Sequence, residues 1–284
     1  NISHDHLDYH GTFENYIRAK KKFFDNLPSS ALAIINVDDK NSTVMVQNTR
    51  ARVIKYGMKT VADCTARVIE KSMEGMQLKI NRHEFWTPMV GEFNVYNMLA
   101  VFATAVNMGI PDSEVLQHMS LLTPAKGRFE VVRSKDNITA VIDYAHTPDA
   151  LENVLTTIQG MKGKGRVICV VGAGGNRDKS KRPVMAKIAG RNSDKVILTS
   201  DNPRNEDPED IIKDMYNGIR GEMEGKFTSV TEREMAIKTS LVMAQPGDVI
   251  LIAGKGHETY QEIKGVKHHF DDREIVLKQF KIME

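Results

Sequence analysis

The chain has almost no cysteine. Two occur in 284 residues, Cys64 and Cys169, far apart and each in an apolar setting. A disulfide framework and a CxxC metal site are both excluded, which fits a reducing, cytoplasmic setting. No apolar run approaches a membrane span, and "NISHDHLDYH" is no signal peptide, so no membrane insertion is expected. An excess of one charge is also missing: 39 Lys and Arg stand against 37 Asp and Glu, a formal net charge of +2. That balance makes no electrostatic case for nucleic acid or an anionic membrane as partner. The short basic runs "AKKKFF" and "DKSKRP" read as solvated faces. Internal repeats and low-complexity tracts are absent. The chain opens without an initiator Met, inside a polar motif, which leads to the expectation of a longer parent.

What is present is ordinary for a globular protein, 41% apolar and 27% charged residues, with length enough for two domains. From about residue 138 the apolar runs "ITAVID", "GRVICVVGA", "DKVILTS" and "GDVILIAG" alternate with helical stretches. That alternation predicts a Rossmann-like, doubly wound α/β sheet, largely parallel, whose ligands sit at the carboxyl ends of the strands. Four polar loops leave those ends: "DYAHTPDA", "GAGGNRDKSKRP", "SDNPRNEDP" and "AGKGHETYQ". All four should face one crevice. The first part differs: a helix at "TFENYIRAKKKFFDNL", a buried strand at "ALAIINV", strand-like segments between 51 and 90, then a helix at "FNVYNMLAVFATAVNMGI". It reads as the later part of another α/β domain. Pro124 and Gly127 in "LLTPAKGRFE" mark the junction, which divides the chain into 1–126 and 127–284.

Taken singly, the loops are ambiguous. In "SDNPRNEDPED" the Asp207-Pro208 pair suits a helix start, and the turn before it holds up Arg204. "VVGAGGNRDKSKR" lacks the third glycine of the dinucleotide fingerprint, because position 177 is Arg, so a nicotinamide enzyme is disfavoured. A Gly-rich turn before a helix remains, suited to an anionic group, with Arg177 beside it. The opening segment packs His4, Asp5, His6, Asp8 and His10 into a short stretch with no zinc spacing. A carboxylate-rich loop of this kind suits magnesium, or caps the following helix.

Together, "NISHDHLDYHGTFENYIRAK", "GEFNVYNMLAV", "GRFEVV", "VIDYAHTPDAL", "GAGGNRDKSKR", "SDNPRNEDP" and "AGKGHETYQ", in this order, resemble the Mur ligases, in particular the members that add a diamino acid. The resemblance implies a partial central ATPase domain followed by the carboxy-terminal Mur ligase domain. It implies an ATP- and Mg2+-dependent amide ligase of peptidoglycan precursor synthesis, acting on UDP-MurNAc-L-Ala-D-Glu and meso-diaminopimelate through an acyl phosphate, and a monomer. By the same resemblance His6 is a magnesium ligand and Lys20 carries a carbamate that bears on a second magnesium. Asn97 contacts adenine, while Asn94 only caps its helix. Arg128 and Asp143 lie around the nucleotide phosphates and ribose, and His146 lies near the reacting groups. Arg177, Asp201, Asn202, Arg204, Gly254 and Glu258 form the diaminopimelate pocket, with Lys255 and His257 structural between the last two.

One departure is large: nothing in the chain fits the phosphate loop G-x-x-x-x-G-K-[ST]. The chain by itself is therefore expected to be inactive, with that loop, the UDP-sugar domain and an acidic magnesium ligand upstream. Within the family, an L-lysine-adding ligase and a folylpolyglutamate-synthetase-like ligase are the alternatives. A glutamate-adding enzyme would leave "DNPR" without a purpose. Outside it stand a Rossmann-like oxidoreductase and a module that binds the amino acid without catalysis.

Overall fold

The computed structural model describes residues 7–219 and 221–283. Two compact units result, Asn1–Thr123 and Pro124–Glu284.

In the first unit a short helix α1 (Leu7–His10) precedes α2 (Phe13–Asp25), whose start is fixed by the Thr12 hydroxyl accepting from the Asn15 amide. The run "AKKKFF" is only partly solvated, for Lys21 lies down on the helix and pairs with Asp25 at 2.5 Å. Strands β1 (Leu32–Asn36), β2 (Arg52–Gly57), β3 (Cys64–Ser72), β4 (Gly75–Ile80) and β5 (His83–Thr87) form a sheet in that order. The first three are mutually parallel, and β3 to β5 form an antiparallel meander. Helices α3 (Ser42–Met45), α4 (Glu92–Asn107) and α5 (Asp112–Ser120) complete the unit. Val95, Met98, Leu99 and Phe102 recur at helical spacing on α4 and bury against Leu78 and Ile80, with Leu116 and Met119 of α5.

The second unit holds β6 (Glu130–Arg133), β7 (Thr139–Asp143), β8 (Val167–Ala173), β9 (Lys195–Ser200), β10 (Phe227–Ser229) and β11 (Val249–Ala253), in the order β10-β9-β8-β11-β7-β6. Only β6 is antiparallel to its neighbour. Helices α6 (Pro148–Gln159), α7 (Lys181–Asn192) and α8 (Pro208–Tyr216) pack side by side, and α9 (Arg233–Met243) packs on α10 (Asp272–Met283). Ala140, Ile142, Ile168, Val170, Ile250 and Ile252 share one sheet face and bury against Ile237 and Leu241 of α9 and Val276 and Phe280 of α10. Alternate residues such as Val141, Cys169 and Leu251 point the other way and are also buried. A parallel sheet covered on both faces needs such unbroken apolar strands. The doubly wound expectation holds.

Three features escaped the sequence reading. β6 and β10 are too short to show a period. The hairpin β12 (Tyr260–Ile263) and β13 (Val266–His269) is polar, with β13 exposed throughout. Its one signal was the Lys264-Gly265 pair, both at positive φ (49 and 79), the pattern of a two-residue I′ turn. Both cysteines are free and buried, and burial pushes the Cys169 thiol up to about 12, which leaves it unreactive.

Candidate functional site

The carboxyl ends of β7, β8, β9 and β11 gather the four expected loops. The loop after β8 lies on the loop after β9: the Gly175 amide donates to the Asn202 carbonyl at 2.9 Å. A Cβ at Gly175 would stand 1.9 Å from the Pro203 oxygen, so only glycine allows this approach. The glycines of "GAGG" thus serve loop-on-loop packing. A positive charge is locked between the two loops. Arg182 is buried (1% exposed) and forks onto Glu206 through two bonds of 2.9 Å, with Asp214 at 2.8 Å and the Gly174 carbonyl at 3.2 Å. This corrects the reading of "DKSKRP" as a solvated face: a long cation looks solvated in sequence until its counter-charges are placed beside it.

Glu206 also accepts from the Asn176 amide and pairs with Lys179, and the Arg182 guanidinium holds its carboxyl down at about 2. A carboxylate whose pKa falls on folding stabilises the native state above its unfolded value, and that stability is lost as pH falls towards the folded value. Thermal unfolding of the wild-type chain should therefore lose stability through this group as pH falls from about 4.5 to 2, by about 1 kcal/mol once solvent screening of the pair is allowed for. Glu206→Gln should flatten that part of the curve relative to wild type. Parallel curves for the two proteins would rule the effect out.

Arg204 itself has φ +51, in the left-handed region that a non-glycine residue occupies only under constraint. The hairpin supplies the constraint. The Arg204 amide donates to the Glu262 carbonyl at 3.0 Å, and the Lys264 amide donates to the Arg204 carbonyl at 2.7 Å. Its guanidinium is held from behind, Nη1 donating to the Gly175 carbonyl (2.9 Å) and Nε facing Glu262 (3.4 Å). Nη2 has no partner among the described residues. The expected cap is also real, for the Asp207 side chain accepts from the Glu209 amide at the start of α8. Cap and presented arginine coexist in one loop.

Beside it, Asn202 (3% exposed) bonds Glu258 through Nδ2 at 2.9 Å. Asp201 lies against Gly254, where a Cβ would meet its Oδ2 at 2.5 Å. That close approach, with φ +117, explains the glycine. Arg177 is exposed and makes no hydrogen bond or ion pair with a described residue. The six residues expected to form an amino-acid pocket therefore fall in adjoining loops at one end of the sheet.

The residues expected around the nucleotide are arranged differently. Asp143 is buried at the end of β7, where its Oδ2 accepts from the Phe129 amide at 2.7 Å. Burial raises its pKa, opposed by the amides of Phe129 and Ala145. It therefore has a structural task, holding the "GRF" segment, that the sequence did not disclose. Arg128 is exposed with its guanidinium 4.7 Å over the Tyr144 ring. His146 bonds the Tyr144 carbonyl through Nδ1 at 2.8 Å, and Tyr144 also neighbours His257, at 5.0 Å between ring centroids.

In the first unit, Lys20 is exposed on α2, its Nζ 5.0 Å from the Tyr16 ring centroid, at the rim of a cavity of about 390 Å³ that Phe24, Asp39 and Tyr56 also line. Asn97 is exposed on α4 and donates to Asn94 Oδ1 at 3.2 Å. Asn94 is buried and bonds the Val90 carbonyl through its own amide. It steadies the turn into α4 and orients Asn97, although the residue at the N-cap is Gly91. Asp38 was not singled out from sequence. Burial disfavours its charge, yet the amides of Met58, Lys59 and Thr60 and the Tyr96 hydroxyl hold its carboxyl at about 2. His6, expected as a metal ligand, lies outside the described residues. Among the described residues no three His, Cys, Asp or Glu side chains come together as a metal site.

Two family models account for most of the chain. Residues 1–105 match the Mur ligase middle domain, and residues 127–256 match the Mur ligase glutamate ligase domain. The chain belongs to the Mur ligase family. It is 55% identical over 281 residues to a Bacteroides thetaiotaomicron protein named UDP-N-acetylmuramoyl-L-alanyl-D-glutamate--2,6-diaminopimelate ligase, covering 99% of this chain and 58% of that protein. It is 44% identical over 285 residues to the Bacillus velezensis protein of the same name, covering 97% and 57%. A solved structure under that name superposes with a TM-score of 0.62 at 38% identity, over 99% of this chain and 59% of that one. MurF from Thermotoga maritima, solved in complex with ADP, shares the fold at 18% identity and a TM-score of 0.72, over 99% and 60%. This Mur ligase chain thus spans a little under three fifths of the length of its curated relatives, 58% in the first case.

Proposed function

We propose that the full-length protein is an ATP-dependent amide ligase that joins meso-diaminopimelate to UDP-MurNAc-L-Ala-D-Glu. The observation that carries the reading is the presentation of Arg204: a strained backbone, a guanidinium pinned at Nε and Nη1, and an Nη2 edge left open. Around it lie Glu258 and Asp201 as anions and Arg177 as a second cation. This is the charge pattern that suits a zwitterion bearing an additional carboxylate. The curated relatives described above, which carry the diaminopimelate ligase name, support the same reading.

In the proposed reaction the γ-phosphoryl group of ATP passes to a carboxylate oxygen of the UDP-MurNAc-dipeptide and ADP leaves. The amine of diaminopimelate attacks the acyl phosphate carbon and loses its proton. The tetrahedral intermediate then collapses to amide and inorganic phosphate. The side chains of this chain contribute orientation and charge, not covalent chemistry. Arg204 and Arg177 take carboxylates, and Glu258 takes an ammonium. Asn97 and Arg128, both exposed, are free to meet adenine and phosphate, and His146 to stand near the reacting groups. Magnesium would neutralise phosphate charge. Among the described residues no three His, Cys, Asp or Glu side chains gather to hold it, and Lys20 would need to become a carbamate to bear on it.

The test is kcat/KM of the full-length protein for meso-diaminopimelate, L-lysine and L-glutamate. Diaminopimelate should be preferred by orders of magnitude. Equal use of lysine would return Arg204 to a turn residue, and preference for glutamate would favour the folylpolyglutamate-synthetase-like alternative. The 284-residue chain alone, which contains no G-x-x-x-x-G-K-[ST] motif, should release no phosphate from ATP.

A further inference from the structure

Lys255 is fully buried at the end of β11. Gly254 and Gly256 flank it at positive φ (117 and 53), and its side chain is wholly out of solvent. Nζ donates to Asn202 Oδ1 at 3.1 Å and to Glu258 Oε2 at 3.0 Å, and lies 5.5 Å from the centroid of the Tyr260 ring. A buried ammonium with two oxygen acceptors costs stability relative to an apolar side chain of similar volume. Its contribution must be sought in what it holds.

It holds two side chains in one orientation each. Asn202 Oδ1 accepts from Lys255 and from the Glu262 amide (2.9 Å), while Nδ2 donates to Glu258 Oε2. A flipped amide would press its NH2 group against an ammonium and an N–H, so only one orientation is tolerated. Glu258 Oε2 in turn receives both Lys255 and Asn202, which turns that oxygen inward. Oε1 has no hydrogen-bond partner among the described residues, on a side chain 18% exposed.

We infer that Lys255 is a positioning residue for the amino-acid substrate, fixing the Asn202 amide and aiming a single Glu258 oxygen at the substrate's ammonium. The inference rests on the proposed function of this loop cluster. It also revises the sequence expectation that Lys255 is merely structural between Gly254 and Glu258.

The experiment uses the full-length enzyme, with KM measured separately for the amino acid, ATP and the UDP-MurNAc-dipeptide. Misaiming a binding group by about 1 Å costs on the order of 10²-fold. Lys255→Met should therefore raise the KM for the amino acid by roughly 10–100-fold and leave the other two within about twofold. In a Glu258→Gln background the same change should add little, because both act through one oxygen. Lys255→Gln, which keeps a donor, should fall between wild type and Lys255→Met. An unchanged amino-acid KM overturns the inference. So does a parallel loss on all three substrates, or loss of fold in both variants, since each marks a general structural role. The amino acid used is whichever one the wild-type enzyme turns over. Inactivity of wild type towards diaminopimelate would thus sink the substrate assignment, while the Lys255 comparison is still read.

Discussion

Arg204→Ala in the full-length protein is expected to lose most of the preference for meso-diaminopimelate over L-lysine, a change on the order of 10⁴-fold in the ratio of kcat/KM values. The two amino acids differ in one carboxylate, and a guanidinium fork matches that group through two parallel hydrogen bonds. With lysine bound, the open edge of Arg204 would be desolvated and unpaired, so on the proposed reading the site would reject as well as select. Alanine is the informative replacement because it keeps the Cβ, and with it the cost of φ +51, so that only the guanidinium is removed. The loss should appear chiefly as a raised KM for diaminopimelate. A variant that kept its discrimination would show that the guanidinium serves only the Gly175 and Glu262 contacts that hold the loops together.

The second large effect is on stability. Arg233 at the start of α9 and Asp272 at the start of α10 are both wholly buried and joined by two bonds, Nε to Oδ1 at 2.9 Å and Nη2 to Oδ2 at 2.8 Å. Nη2 also reaches the Ala253 carbonyl at 3.0 Å, which ties both helices to the end of β11. Burial works against the Arg233 charge, but Asp272 outweighs it and keeps the guanidinium firmly protonated. Asp272→Ala leaves that charge buried without its partner, at a cost of roughly 3–5 kcal/mol. For a unit of this size the unfolding midpoint should fall by roughly 10 °C or more. Arg233→Met combined with Asp272→Leu should recover much of the loss, since an apolar pair of similar volume needs no counter-charge. Differential scanning calorimetry of the three proteins decides it. A midpoint for Asp272→Ala within about 2 °C of wild type would mean that water reaches the guanidinium after all.

Much of the site was legible because its elements have local causes. Apolar, β-branched runs such as "GRVICVVGA" and "GDVILIAG", alternating with helical stretches, read as strands buried on both faces, and polar loops leaving four of them in series then emerge at one end of a parallel sheet. Asp207 and Pro208 cap and start α8 through contacts within three residues, so that start too was readable.

By itself, then, the sequence determined the α/β class, the run of strands and helices in the second unit, the loops that carry the site, and family membership, since each follows from short-range pattern or from motif order. Tertiary structure alone decided which charges are interior. Arg182, Arg233 and Lys255 stand in stretches as polar as any surface, and they are buried because Glu206, Asp272 and Asn202, 24, 39 and 53 residues away, come round to meet them. It likewise decided that Asp143 holds a backbone turn, that Asn94 orients Asn97, and that a polar hairpin locks Arg204. Desolvation and pairing depend on what the fold brings within about 3 Å, a distance in space that no spacing along the chain encodes.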